Sequence, residues 1–214
     1  MPPSDPDVAD LAAAWHALIA PQSTSPDRDG IGRGLLAAWS EPHRRYHNLA
    51  HLRDVLAHVD ALAAHADDPD AVRLAAWYHD AVYRGRGDDE ENSARRAETE
   101  LAALGLPVSL IAEVARLVRL TAAHDPAPDD RNGVTLSDAD LAILGAPADR
   151  YAAYAAAVRD EYAHLPDDAF RTGRAQVLRA LLGGPALYRT PAAQQRWEAQ
   201  ARINLAAELD RLTG

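Results

Sequence analysis

Apolar residues recur three and four positions apart along the segment from His47 to about Ala66. This single stripe, at the spacing of an α-helix, consists of Leu52, Val55, Leu56, Val59 and Leu62. Alanine is abundant in the rest of the chain, valine and isoleucine are few, and there is 1 phenylalanine. Because alanine favours helices, whereas β-branched and aromatic residues favour strands, the sequence predicts an all-α fold.

Prolines, glycines and short polar stretches divide the chain into helices and loops. The predicted helices are Val8–Ala20, Gly34–Trp39, His47 to about Ala66, Ala71–Val82, Glu90–Leu104, Ser109–Ala122, a short helix that holds Asp138 and Asp140 behind Ser137 as its cap, Asp149–Ala163, Asp167–Leu182 and Ala192–Leu212. The longest irregular segment is predicted over His124–Gly133. No repeat of about 20–50 residues is visible. We therefore expect residues 1–214 to form a single domain, a bundle of about eight to ten helices.

The residue types that the chain lacks exclude several classes of chemistry. It contains no cysteine, which excludes thiol nucleophiles, disulfides, thiolate zinc sites and iron–sulfur clusters. All 22 basic residues are arginine, which excludes Schiff-base lysines and a P-loop lysine. The formal net charge of −10 argues against nucleic-acid polymers and anionic membranes as partners. Since no segment resembles a signal peptide or a membrane span, we expect a cytoplasmic protein.

Histidine and aspartate are concentrated in two short motifs. Tyr46–His51 reads Tyr-His-Asn-Leu-Ala-His, and the pair His79-Asp80 follows it. On a helix, His47 and His51 would share a face, about 40° apart in azimuth and about 6 Å apart along the axis. Neighbouring residues such as His79 and Asp80 point about 100° apart, so they converge on one ion only if other helices complete its shell. With a later aspartate, these side chains supply ligands for a hydrolytic metal centre.

This set of residues resembles the HD-domain superfamily of metal-dependent phosphohydrolases, whose pattern is a histidine, then His-Asp, then a later Asp on a helical scaffold. The segment Tyr46–Val55 is also similar to the signature of cyclic-nucleotide phosphodiesterases within that superfamily. Most of the chain resembles the family described as predicted metal-dependent HD superfamily phosphohydrolases. The matching pieces are Tyr46–His51, Tyr78–Tyr83, Glu90–Ala94, Asp138–Gly145, Arg159–Tyr162, Gly173-Arg174 and Ala201–Leu205.

The resemblance implies a set of metal ligands. They are His51, His79, Asp80 and Asp140, around one or two divalent ions of Mn, Mg, Fe, Ni, Co or Zn. Asp138 is the alternative to Asp140; two helical residues this far apart point nearly opposite ways, so only one should face the ion. We expect Asp140, because Ala-Asp-Leu resembles the phosphodiesterase context.

The remaining expected roles concern catalysis and substrate. His47 would protonate the leaving oxygen, and Asp80 and Glu90 would act in catalysis. No His or Glu follows Asp80 directly, so Glu90, Glu91 or His124 would complete a second metal or hold the water. His124 also counts among the expected substrate-binding residues. The guanidinium groups of the arginines beside the motifs match phosphate oxygens. We expect Arg45 and Arg84 to bind the substrate phosphate, with Arg44 and Arg86 as further candidates.

The implied function is a divalent-metal-dependent phosphohydrolase, either a phosphomonoesterase or a phosphodiesterase, acting on a small phosphate ester or nucleotide with metal-bound water as the nucleophile. Two alternatives stay open: a nucleotide and metal sensor without turnover, and a di-iron oxygenase. The oligomeric state, monomer or homodimer, is also open.

Overall fold

The structure is a computed structural model that describes residues 6–214, and within this range it is all-helical, as predicted. The helices are α1 (Pro6–Ile19), α2 (Arg28–Trp39), α3 (Leu49–Leu62), α4 (Pro69–Tyr78), α5 (Asp89–Ala103), α6 (Val108–Leu120), α7 (Arg131–Asp140), α8 (Ala148–Glu161), α9 (Asp167–Gly183), α10 (Pro191–Ala193) and α11 (Ala199–Thr213). The 3₁₀ turns Ala63–His65 and Leu141–Gly145 follow α3 and α7, and a π-helical turn, Gln194–Glu198, joins α10 to α11.

The apolar stripe predicted for α3 faces the core. Leu52, Val55, Val59 and Leu62 are buried there, and α3 packs against both α4 and α7. Burial of each such side chain contributes about 1.5–3 kcal/mol of transfer free energy. Trp39 at the end of α2 is fully buried, and its indole Nε1 donates a hydrogen bond to the carbonyl oxygen of Trp77 at 3.0 Å. These contacts fix the start of α3 beside the end of α4.

Helix α7 is longer than the sequence predicted. The segment that we expected to be irregular up to Gly133 already turns helical at Arg131. Asp130 caps the helix by accepting a hydrogen bond from the N–H of Gly133 at 2.9 Å, so Ser137 is a buried residue inside the helix and not its cap. The prediction was wrong because a capping aspartate in an Asp- and Pro-rich stretch looks the same as a loop residue.

Helix α2 also begins earlier than predicted, at Arg28 instead of Gly34. The added turns include Gly32, where a Cβ atom would collide with the indole ring of Trp15. Glycine at this position lets α1 and α2 pack closely.

A second glycine leads to a stability prediction. A Cβ atom on Gly145 would lie 2.8 Å from the Cα and carbonyl oxygen of Trp197, and backbone atoms cannot move aside cheaply. We expect Gly145→Ala to lower the free energy of unfolding by about 1–3 kcal/mol, as overpacking does. Gly173→Ala in α9 is the matched control, since nothing lies within 4 Å of its Cβ position. In urea unfolding this control should be neutral or more stable, and equal stability of the two variants would contradict the packing argument.

Candidate metal centre

The two histidine motifs lie at helix ends. Asn48 is the N-cap of α3, and its side-chain oxygen accepts the N–H groups of Ala50 at 3.0 Å and His51 at 3.4 Å. His51 therefore belongs to the first turn, whereas His47 precedes the helix. The shared helical face expected for these two histidines was wrong. They still lie side by side, with 5.5 Å between their ring centroids.

His79 and Asp80 follow α4, which ends at Tyr78, so they belong to a turn and not to the helix that we predicted there. The backbone of His79 still has helical dihedral angles, and its N–H donates to the carbonyl oxygen of Ala75 at 2.8 Å. The two neighbouring side chains nevertheless approach each other, and His79 Nε2 lies 3.3 Å from Asp80 Oδ2.

His51, His79 and Asp140 form a compact cluster that could hold a metal ion. His51 Nε2 lies 3.2 Å from His79 Nε2 and 3.1 Å from Asp140 Oδ1, and His79 Nε2 lies 3.5 Å from the same oxygen. The two histidine side chains are almost completely buried, and 12% of the Asp140 side chain is exposed. Two imidazole nitrogens and one carboxylate oxygen converging in this way suit a divalent transition-metal ion.

A hydrogen bond behind His79 fixes which ring nitrogen faces the cluster. His79 Nδ1 lies 2.8 Å from the carbonyl oxygen of Ala76. A carbonyl oxygen only accepts, so Nδ1 carries the proton, and in the neutral ring the lone pair belongs to Nε2. Metal-binding histidines are commonly supported in this way. The donor set therefore fits a bound metal ion.

The structure separates the two aspartates of α7. Asp140 is in the cluster, whereas the buried Asp138 accepts hydrogen bonds from the backbone N–H groups of Arg189, at 2.9 Å, and Thr190, at 2.7 Å. Asp138 thus ties α7 to the segment before α10. Of the two aspartates, only Asp140 lies in the candidate cluster.

Asp80 lies at the edge of the cluster. Its Oδ2 atom is 3.9 Å from the Nε2 atoms of both His47 and His51. Burial opposes ionisation of Asp80, but the neighbouring His79 and His47 outweigh it and hold the pKa of Asp80 below its ordinary value. Asp80 is therefore an anion that faces three imidazoles.

His47 is held from two sides. Its Nδ1 atom lies 2.7 Å from Oε2 of Glu161, and its ring stacks on Tyr83 with 4.3 Å between centroids and 27° between planes. Burial alone would lower the pKa of His47, but Asp80 and Glu161 reverse the effect and raise it.

Sequence reasoning did not single out Glu161, although it lies in the matching segment Arg159–Tyr162. Its Oε1 atom accepts the backbone N–H groups of Arg45 and Tyr46 at 2.8 Å each and of His47 at 3.0 Å. Its Oε2 atom also accepts the hydroxyl of Tyr83 at 2.9 Å. The only signal in the sequence was the resemblance itself, because Glu161 lies far from His47 along the chain.

His124 approaches the cluster from the end of α6. Its Nε2 atom lies 3.3 Å from Oδ2 of Asp140, the oxygen that does not face His51. Its backbone adopts a φ of 49°, a left-handed conformation that is uncommon outside glycine. The buried Nδ1 atom has no hydrogen-bond partner among the described residues. The structure thus places His124 beside a candidate ligand.

The expected acidic residues of α5 lie further out. Glu90 is partly buried, and burial together with the charge of Asp80 raises its pKa, but its carboxylate is not in the three-residue cluster. Glu91 is paired with Arg95 and Arg119 on the surface, at 2.8 and 2.6 Å. Glu91 is therefore a surface residue of a salt-bridge network.

The arginines beside the motifs divide into two groups. Arg45 and Arg84 are exposed, and no ion pair of theirs is found within residues 6–214. Arg44 is buried, and its Nη1 atom donates to the carbonyl oxygens of His47 at 3.0 Å and Asp80 at 2.8 Å. Arg44 thus ties the two histidine loops together.

A cavity of about 270 Å³ adjoins the cluster. His51 and Asp140 form part of its wall, which also contains apolar residues such as Val55, Ile143 and Trp197 and several polar side chains. These polar side chains are Tyr46, Asp54, His58, Arg150 and Arg196. Asp54 and Arg150 form an ion pair across it. A group bound at the cluster has room to extend into this cavity.

Opposite pKa shifts of the two buried histidines give a prediction about protons. Burial lowers the pKa of His51, whereas Asp80 and Asp140 outweigh burial and raise the pKa of His79 well above its ordinary value. The raised pKa favours the protonated form of His79 in the metal-free cluster, and a protonated ring must lose a proton to bind a metal ion. We expect release of about one proton per ion. Metal affinity should fall as the pH is lowered, because protons then compete for both imidazoles.

Calorimetric titration with Zn²⁺ or Co²⁺ in buffers of different ionisation enthalpy measures this release. Binding heats that do not depend on the buffer would contradict the assigned protonation of His79.

Comparison of the chain with protein-family models, with curated proteins and with solved structures found no match. Among the described residues, no helix is both long enough and apolar enough to cross a membrane.

Proposed function

We propose that the protein is a divalent-metal-dependent phosphohydrolase of the HD-domain type that acts on small phosphate esters. The observation that carries the proposal is the convergence of His51, His79 and Asp140, with Asp80 and His47 at the open edge of the cluster. Buried metal ligands beside an anionic carboxylate and a further histidine are a set of residues that suits a hydrolytic metal site.

In this proposal His51, His79 and Asp140 hold the metal ion, with Asp80 beside them. The bound ion would act as a Lewis acid, polarising the phosphoryl group and lowering the pKa of water. Asp80 remains a carboxylate at neutral pH because its pKa is low. It therefore orients the attacking water by accepting a hydrogen bond, and it does not serve as the proton donor.

His47 supplies the proton for the leaving group. During the reaction the water oxygen bonds to phosphorus, the ester P–O bond breaks, and the leaving oxygen takes a proton from Nε2 of His47. The attacking water gives up a proton, and this proton reprotonates His47. The products are therefore an alcohol and phosphate. Such a donor contributes about 10²–10⁴-fold to the rate.

The neighbouring cavity has room for a small organic group attached to the phosphate. Its volume of about 270 Å³ lies below the range of about 300–1,000 Å³ typical of sites for larger organic ligands. The polar part of its wall, with Asp54, His58 and Arg150, offers hydrogen-bonding groups to hydroxyls of such an organic group. These features are compatible with a small phosphomonoester.

The proposal is tested by phosphate release from metal-stripped protein reloaded with Mn²⁺, Mg²⁺, Co²⁺ or Ni²⁺. We expect release from a panel of small phosphate esters only after reloading. If no ion and ester combination releases phosphate, and calorimetry shows nucleotide binding, the result would favour the sensor function over hydrolysis.

A further inference from the structure

Glu161 at the end of α8 lies outside the metal cluster but contacts both loops that border it. Its two carboxylate oxygens have separate partners. Oε1 accepts the three consecutive backbone N–H groups that begin at Arg45, and Oε2 accepts from the His47 ring and the Tyr83 hydroxyl. Only 2% of the side chain is exposed. A carboxylate buried to this extent is stable as an anion only with such a set of donors.

The charge state of Glu161 agrees with this arrangement. Burial alone would raise its pKa, but the hydrogen bond and charge of His47 and the backbone donors lower it to about 2. Glu161 is therefore an anion throughout the neutral range. An anion can hold the Nδ1–H of His47 whatever the state of the metal site.

The contacts around His47 determine where its other nitrogen points. Glu161 holds Nδ1, the face of Tyr83 stacks on the ring, and the edge of Tyr46 packs against it with 4.9 Å between centroids. Nε2 is then the atom that faces Asp80, at 3.9 Å. Glu161 thus restrains both the loop before α3 and the rotation of this ring, together with Arg44, Tyr46 and Tyr83.

We propose that Glu161 is a positioning residue of the hydrolytic reaction: it holds the loop and the ring of His47 so that Nε2 meets the leaving oxygen. This inference rests on the proposed phosphohydrolase function. Glu161 does not contact the cluster ligands in the structure, so its role should be separable from metal binding.

Because the two carboxylate oxygens of Glu161 have different hydrogen-bond partners, Glu161→Gln is an informative variant. A glutamine has one acceptor oxygen, and three backbone N–H groups require it on the Oε1 side. The amide NH₂ then faces His47 Nδ1 and the Tyr83 hydroxyl, where an acceptor is needed. The loop is retained, while the charge-assisted hydrogen bond to the Nδ1–H of protonated His47 is lost, because an amide NH₂ can pair with Nδ1 only when that nitrogen carries no proton. Tyr83→Phe is the matched control, because it removes one hydrogen bond to the same oxygen and leaves the contact to His47 in place.

The test compares two phosphate esters that differ in their need for a proton donor. Glycerol 2-phosphate expels an alkoxide, which must be protonated, whereas p-nitrophenyl phosphate expels a stable phenolate. For Glu161→Gln we expect kcat on glycerol 2-phosphate to fall about 100-fold, with a much smaller fall on p-nitrophenyl phosphate. KM, metal affinity by calorimetry and the unfolding midpoint should stay near wild type. Tyr83→Phe should retain most of the activity on both esters.

The possible failures are distinguishable. If wild type releases phosphate from neither ester, the hydrolytic function is wrong. If wild type is active and Glu161→Gln loses both activities equally, or loses metal affinity, Glu161 has no specific role in presenting His47.

A readout independent of turnover is the ¹⁵N spectrum of the histidine rings. We expect the His47 Nδ1 signal to shift in Glu161→Gln and the His79 signals to stay in place, and an unshifted His47 signal would also overturn the inference.

Discussion

Asp140→Asn is expected to lose the bound metal ion, whereas the same change at Asp138, two residues earlier, is expected to leave it in place. Asp140 Oδ1 lies within 3.5 Å of both cluster imidazole nitrogens, and Asp138 instead accepts the N–H groups of Arg189 and Thr190. For Asp140→Asn we expect metal affinity to fall by more than about 100-fold, beyond the loss typical of groups that merely support a ligand.

Asp138→Asn should have the opposite profile. An amide NH₂ would oppose one of the two backbone donors, and a buried donor without an acceptor costs about 1–3 kcal/mol. Its unfolding midpoint should therefore fall, with metal stoichiometry unchanged. Elemental analysis and thermal unfolding of both variants measure the two effects. Metal loss in Asp138→Asn but not in Asp140→Asn would show that Asp138, and not Asp140, is the metal ligand.

The second large effect concerns turnover. Asp80→Asn is expected to reduce phosphate release by at least about 100-fold, the size of effect seen when one preorganised group is removed from a reaction centre. Asp80 is the anion that faces His47, His51 and His79, and its low pKa keeps it charged. An amide of the same shape removes the charge and offers the water a weaker acceptor.

The measurement is kcat for a small phosphomonoester at saturating metal, with metal content determined on the same sample. Glu91→Gln is a suitable control, since it makes the same carboxylate-to-amide change at a residue that pairs with Arg95 and Arg119 at the surface. Wild-type turnover in Asp80→Asn would remove Asp80 from the reaction. Turnover lost in both variants would indicate a general effect on folding.

The helical class was predictable because it depends on local patterns. Leu52, Val55 and Val59 repeat at the helical period, and the structure buries all three. The ends of helices were less predictable. The side chain of Asn48 starts α3 after His47, and α4 stops before His79, and both depend on a few hydrogen bonds that no periodicity encodes.

The candidate site was predictable in part for a similar reason. Histidines and aspartates are few enough to be noticed, and the resemblance supplied their grouping. The contact between Glu161 and His47 joins residues 114 positions apart, and a glutamate at the end of a helix is common on protein surfaces. Only the packing of α8 against the loop before α3 shows that this glutamate is buried. The choice between Asp138 and Asp140 likewise became clear only with their partners in space.

X-ray absorption spectroscopy of the Zn²⁺- or Co²⁺-loaded protein would identify the ligands of the ion. We expect two imidazole nitrogens per ion, at about 2.0–2.1 Å for zinc, in the wild type and one in His51→Ala. A first shell made only of oxygen atoms, or identical spectra for wild type and His51→Ala, would show that the ion does not bind where the two histidines and Asp140 converge.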